Sequence, residues 1–221
     1  TITLAGAAKL ETLNVFNADG SRVEYQRVIN GTSDDDYISN NLNDFTIDAG
    51  DGDDQIDNYG TAVSISGGDG NDYVWNYENA DNVTVNGGKG NDYVYNNGAS
   101  VKIYGGDGAD EIYNEGNSVT IAGGAGNDTI DNSGDSVTID AGTGDDSIYS
   151  YGNNVLFVYS GGNDIIDGFS STSTLKIASG TFDSVIATNG TDYFVTVGKN
   201  TIRLNDVSGK RTQIINANGK V

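Results

Sequence analysis

Between residues 31 and 168, apolar and polar positions alternate in two short bursts that return about every eighteen residues. The first burst centres on a β-branched position: Ile38, Ile56, Val74, Val94, Ile112, Ile130, Ile148 and Ile166. The second centres on two apolar positions, two residues apart. One runs Phe45, Val63, Val83, Val101, Val119, Val137, Val155; the other runs Ile47, Ile65, Val85, Ile103, Ile121, Ile139, Phe157. Alternation with a period of two marks a strand that buries one face. Each turn therefore predicts two short strands, and no stretch carries a helical period. A Gly-rich corner and an N-x-G corner separate the strands. A two-residue insertion near Glu78–Asp81 is the one break in the spacing.

Identical columns at a fixed period stack at strand spacing, about 4.8 Å per turn. Eight turns make a rod of roughly 35–40 Å. The predicted fold is all-β: a right-handed parallel β-solenoid of the β-roll kind, flattened, with eighteen residues per turn and a core one side chain thick. Residues 1–30 and 169–221 do not follow the period and are expected to be β caps over the open strand edges. A hairpin is expected over Val15–Tyr25 around Ala18-Asp19-Gly20, and another over Ser184–Val197 around Asn189-Gly190. The two ends also share a skeleton, T-I-x-L followed by N-A-D/N-G-x-V, from Thr1 and from Thr201. Either the chain is one unit of a tandem array, or both ends are generic hairpin patterns.

Numbering each turn from the first residue of its Gly-rich loop makes the columns comparable. The loops read AGDGDD from 49, GGDGND from 67, GGKGND from 87, GGDGAD from 105, GGAGND from 123 and AGTGDD from 141, with degenerate copies GTSDDD from 31 and YSGGND from 159. Position 6 is Asp in all eight: Asp36, Asp54, Asp72, Asp92, Asp110, Asp128, Asp146 and Asp164. Position 10 is Asn40, Asn58, Asn76, Asn96, Asn114, Asn132 and then Ser150. That column is either a ladder of amides or a set of residues that tolerate a left-handed turn.

Composition sharpens the picture. The chain holds 27 Asp against 5 Glu, and its formal net charge is −21. Residues 31–167 carry 23 Asp and 3 Glu against only Lys89 and Lys102, so the acidity belongs to the repeat. Like carboxylates stacked in register repel, and the column calls for cations between the loops. Such a surface also repels nucleic acid and anionic lipid. The chain has no Cys, Met, His or Pro. Disulfides, thiolate sites and the usual transition-metal ligands are excluded. No apolar run approaches the ~20 residues that span a bilayer. A chain that begins at Thr1 is expected to be a fragment or a processed form, and no signal or transit peptide is visible.

The loops GGDGND, GGKGND and GGAGND resemble the calcium-binding nonapeptide G-G-x-G-x-D-x-U-x of the RTX (hemolysin-type) family. The resemblance covers residues 31–168. It implies that Ca²⁺ lies between successive loops, held by the eight position-6 Asp side chains. It also implies carbonyl ligands from glycines in conformations closed to other residues: Gly50, Gly52, Gly68, Gly70, Gly88, Gly90, Gly106, Gly108, Gly124, Gly126, Gly142 and Gly144. Position 5 (Asp35, Asp53, Asn71, Asn91, Asn127, Asp145, Asn163) is a weaker ligand candidate, and Ala109 breaks that column. RTX rolls place the nonapeptide on both halves of a turn. Here the second half lacks the Asp, so ions are expected along one edge only, about four to seven of them, with the degenerate end loops least suited.

Three function classes follow. An enzyme is the weakest, because His and Cys are absent and every carboxylate pair lies in a repeating loop; the chain is expected not to be an enzyme. The leading reading is a Ca²⁺-folded structural module of a large secreted or surface bacterial protein of adhesin or matrix type. The resemblance implies export through a type I channel before folding. The alternative is a carbohydrate- or protein-binding module that uses outward aromatics, above all Tyr73, Trp75, Tyr77, Tyr93, Tyr95 and Tyr113. Ice binding is less expected, because a regular Thr row is missing from position 3 apart from Thr143. A monomer is expected, with calcium and neighbouring array modules as its partners.

Overall fold

The structure is a computed structural model that describes residues 2–3, 15–16, 22–23, 27–178, 184–188, 191–205, 207 and 213–217. Each central turn contributes a four-residue strand such as Tyr73–Asn76 and a six-residue strand such as Ser64–Asp69. The short strands pair in parallel, Ile38 on Ile56, on Val74, on Val94, on Ile112, on Ile130, on Ile148, on Ile166. The long strands pair likewise, Ile47 on Ile65, on Val85, on Ile103, on Ile121, on Ile139, on Phe157. The result is a parallel β-solenoid of about eight turns made of two sheets, with no helix among the described residues.

The core is the space between the sheets. Position 8 from one sheet meets positions 15 and 17 from the other, and nearly every member of these columns is buried. Parallel sheets usually need cover on both faces. Here each sheet is covered on one face only, which is why its strands alternate.

The long strand runs further than alternation alone predicts. It takes in the first three residues of the loop motif, as in Gly67, Gly68 and Asp69. The ladder also passes beyond the repeat. Thr174–Ile177 pairs in parallel with Leu156–Tyr159, and Gln213–Ile215 pairs with Thr174–Ile177. Asn200–Leu204 pairs in parallel with Ile165–Asp167 and then, antiparallel, with Asp192–Val197, which pairs with Ser184–Thr188. The loop motif lapses there, but Leu175, Ile177, Ile202, Leu204 and Ile214 still supply buried apolar side chains. At the other end Ile2–Thr3 pairs with Tyr37–Asn40, Val28–Thr32 with Thr46–Asp51, and Val15–Phe16 antiparallel with Arg22–Val23. The turn residues Ala18-Asp19-Gly20 and Asn189-Gly190, and much of the shared end skeleton, lie outside the described residues.

The Asn column is a ladder. Each amide donates from Nδ2 to the Oδ1 of the Asn one turn on, at 2.7–2.8 Å from Asn40 to Asn132, and the last donates to Ser150 Oγ at 3.3 Å. The second Nδ2 hydrogen goes to a carbonyl of the corner, such as Gly98 O from Asn96 at 2.9 Å. The left-handed residues are not these Asn but lie four positions later, at Asp44, Ala62, Ser100, Ser118, Ser136 and Asn154, with φ of 55–60°; in the turn with the two-residue insertion they are Asn79 and Asn82. Asn96→Ala removes a donor and an acceptor from neighbours that remain buried. It is expected to cost about 2–4 kcal/mol, seen as a melting temperature lower by about 5–10 °C.

Candidate metal site

The candidate site is the Gly/Asp corner, where a long strand hands over to the next short one. Its glycines have two different physical causes. Positions 2 and 4 hold φ between 111° and 144° from Gly50 to Gly144, a region in which side chains are strained. A Cβ there would also run into the carbonyl of the matching glycine one turn back, as Gly108 would meet Gly90 O. Gly108→Ala is therefore expected to lose more than about 3 kcal/mol in a denaturant titration. Position 1 is different. Gly67, Gly87, Gly105 and Gly123 do not have positive φ; their missing Cβ makes room for the Oδ2 of Asp72, Asp92, Asp110 and Asp128. Ala49 and Ala141 occupy the same position in two turns. These position-1 residues were not among the sequence candidates, and the only signal for them was a residue that is always small in the central turns.

The position-6 carboxylates form a column with one oxygen committed. The backbone N–H of each position-6 Asp donates to Oδ1 of the Asp one turn on, at 2.7–3.2 Å from Asp36 through to Asp164. The second oxygen is orphaned. Oδ2 of Asp54, Asp72, Asp92, Asp110, Asp128 and Asp146 is buried and has no hydrogen-bond partner. Asp36 escapes this, because the N–H and hydroxyl of Thr32 both donate to its Oδ2, at 2.7 and 2.8 Å. The degenerate first loop thus differs in chemistry from the six central ones.

Burial dominates the electrostatics. Loss of solvation pushes the Asp72 carboxyl up to about 6 and those of Asp92, Asp128 and Asp164 up to about 7; the N–H of the preceding turn opposes the shift and neighbouring carboxylates add to it. Asp54, Asp110 and Asp146 move in the same direction, first through burial. Two unit charges one strand spacing apart repel by on the order of 3 kcal/mol at an effective dielectric of about 20. The column needs a proton or a cation at each turn.

Position 5 lies outside this column and is largely exposed. Its side-chain oxygen accepts from the position-5 N–H of the next turn: Asp35 from Asp53, Asp53 from Asn71, Asn71 from Asn91, Asn91 from Ala109, Asn127 from Asp145 and Asp145 from Asn163, at 2.7–2.9 Å. The carbonyls at positions 2 and 4 point along the stack toward the next turn's glycine, whereas the position-1 carbonyl, such as Gly123 O, lies against the same glycine as the orphaned oxygen of the preceding turn, Asp110 Oδ2. No three acidic side chains converge among the described residues. A cation here would take one carboxylate from each turn and the rest of its oxygens from backbone.

No family model matches the chain, and no curated protein matches it in sequence. Among solved structures it is similar to the extracellular lipase LipA from Serratia marcescens, at 18% identity and a TM-score of 0.37. That similarity covers 88% of this chain and 40% of the lipase chain, so this chain spans less than half of that structure's length. The fold stands on the strand pairing itself.

The outward aromatics lie on the short-strand sheet. Tyr73 stacks on Tyr93 at 5.5 Å, Trp75 lies 5.4 Å from Tyr95, Tyr93 lies 5.2 Å from Tyr113, and Tyr59 stacks on Tyr77 at 4.2 Å. Ring packs on ring across strands, which stiffens the sheet.

Proposed function

We propose that this chain is a calcium-binding structural module of a secreted or cell-surface bacterial protein, akin to the RTX repeat family, in which Ca²⁺ locks successive Gly/Asp corners together. One observation carries the reading. The two corners of each turn face the same problem, buried polar side chains stacked in register, and solve it differently. The Asn corner is neutral and every amide group has a partner. The other corner uses Asp in all eight turns, and six of these leave a buried oxygen bare. An amide there would supply the missing donor. A carboxylate keeps a negative oxygen for a cation.

The donor set suits a hard ion. Oxygen is the only ligand type at the corner, and Ca²⁺ accepts six to eight oxygens in irregular geometry, where Mg²⁺ wants a tight octahedron. Oδ2 of Asp54, Asp72, Asp92, Asp110, Asp128 and Asp146 would hold it, with position-1 carbonyls beside them. A bound ion would neutralise the column and cross-link consecutive turns. The role is structural rather than catalytic: the ion binds the folded chain and so drives folding. Extracellular modules bind Ca²⁺ at about 10⁻⁴–10⁻³ M, which supports folding after export and assembly with neighbouring modules outside the cell. The test is a calcium titration of the metal-stripped chain by far-UV circular dichroism, with Mg²⁺ as control. A β spectrum indifferent to EGTA and to Ca²⁺ at pH 8 would overturn the reading.

A further inference from the structure

Asp57 buries a carboxylate oxygen away from the Asp column. It is a position-9 residue, between the inward Ile56 and Asn58, and it belongs to the outer face of the short-strand sheet. Outward residues on this sheet are usually wet, yet Asp57 is only 7% exposed. The hydroxyl of Tyr37 donates to its Oδ2 at 2.6 Å. Its Oδ1 is buried without a partner. Trp75 is its register neighbour on the next strand. Tyr59 and Tyr77 follow two positions later in these turns and stack with an interplanar angle of 11°, and Trp75 lies 6.1 Å from Tyr77. The hydrogen bond to Asp57 and its charge raise the Tyr37 phenol, and the Tyr77 phenol is raised first by its hydrogen bond with Tyr59, then by burial and by the charge of Asp57.

A buried carboxylate normally finds a Lys or Arg. None stands at any outward position 7, 9 or 11 between Tyr37 and Tyr151. The neighbours of Asp57 on this face are instead aromatic: Tyr37, whose hydroxyl holds the other oxygen, and Trp75 on the next strand, with Tyr59 and Tyr77 two positions on. We propose that Asp57, with Tyr37, Tyr59, Trp75 and Tyr77, forms a binding site for a protonated alkylamine. One ammonium N–H donates to Asp57 Oδ1, and the charge and alkyl stem lie against the ring faces. Oδ1 is covered, so entry requires a ring to move; Tyr59, 48% exposed, is the ring on the solvent side, and binding would have to break its stack on Tyr77. The acidity of the whole rod favours a cationic ligand. The inference is independent of calcium at the Gly/Asp corner.

Trp75 is the chain's one tryptophan, so its fluorescence reports on the site. The full chain, in excess CaCl₂, is titrated with n-butylammonium chloride. Tetramethylammonium, which has no N–H, and NaCl at equal ionic strength are the controls. The expected result is a saturable change with n-butylammonium at a midpoint on the order of 10 mM. Asp57→Asn is expected to weaken it about tenfold or more. Glu111→Gln, which removes an equal charge from the same face outside the site, is expected to retain it. The proposal is overturned by no saturable response in the unmodified chain, by an equal response to tetramethylammonium, or by a folded Asp57→Asn chain that binds as well as the parent. Should Asp57→Asn fail to fold, the comparison of n-butylammonium with tetramethylammonium in the unmodified chain still decides.

Discussion

Stripped of divalent ions at pH 8, the chain is expected to lose most of its β-sheet signal and to regain it as CaCl₂ rises toward the millimolar range, with MgCl₂ far less effective. Six orphaned oxygens set the scale. A ligand at ten times its dissociation constant contributes ~1.4 kcal/mol per site, so four filled sites contribute about 6 kcal/mol. That is the size of a whole domain's net stability. Acid is expected to substitute in part for calcium. The carboxyls of Asp72, Asp92, Asp128 and Asp164 lie at about 6 to 7 when folded, against an ordinary 3.8. A carboxyl raised on folding binds more protons folded than unfolded. Its stabilising contribution is fully present below about 3.8 and is lost as the pH climbs through 6 and 7. The groups that face each of these carboxyls are the carboxylates of the adjoining turns and, from Asp145 and Asp140, further negative charge on Asp164. The metal-free chain should therefore hold more β-sheet signal at pH 5 than at pH 8. Calcium affinity should fall on acidification through the same window, because proton and ion claim one oxygen. Circular dichroism in EGTA from pH 5 to pH 8 checks this, and a β-sheet signal that rises with pH would contradict it.

Replacing one column member by its amide is expected to act with opposite sign in the two media. Asp110→Asn keeps an oxygen for the N–H of Asp92, which now reaches Asp110 Oδ1 at 2.8 Å. It removes a buried charge and places an N–H₂ where Oδ2 lies, against Gly105 together with Gly123 O. In EGTA at pH 8 the variant should keep more β-sheet signal than the parent. In saturating CaCl₂ it should melt below it, by about 2–3 kcal/mol for one lost site, or about 5–10 °C. A change of the same sign in both media would mean that the Asp column does not hold ions. The Asn corner is the internal precedent: there the amide form closes the ladder without any cation.

The strands and their register were legible because a fixed period acts on every column at once. A slip of one residue would turn Ile65, Ile103 and Ile121 to solvent together with all their equivalents. Period-two alternation named the buried positions, and the eighteen-residue repeat named their partners in the next turn. The acidic column was legible for the same reason. The two end hairpins were legible from their turn residues, and Val15–Phe16 pairs with Arg22–Val23 and Ser184–Thr188 with Asp192–Val197; the continuation of the parallel ladder through Thr174–Ile177 and Gln213–Ile215 was not, because the loop motif that marks the period lapses there.

What the sequence by itself determined is thus the solenoid, its two strands per turn and the row of Asp at one corner. Only the tertiary structure decided where each Asp oxygen points. Oδ1 goes to a backbone N–H one turn back and Oδ2 to a place made by the missing Cβ of a position-1 glycine, which separates those glycines from the ones at positions 2 and 4 that serve φ. It also decided that the Asn column is a ladder, that the position-5 side chains cap the next turn, and that Asp57 is buried on the outer face with one oxygen on the Tyr37 hydroxyl and the other bare. These are matters of hydrogen-bond direction and of which atoms lose water. Both depend on how one turn sits on the next, and one turn's residues cannot specify that alone.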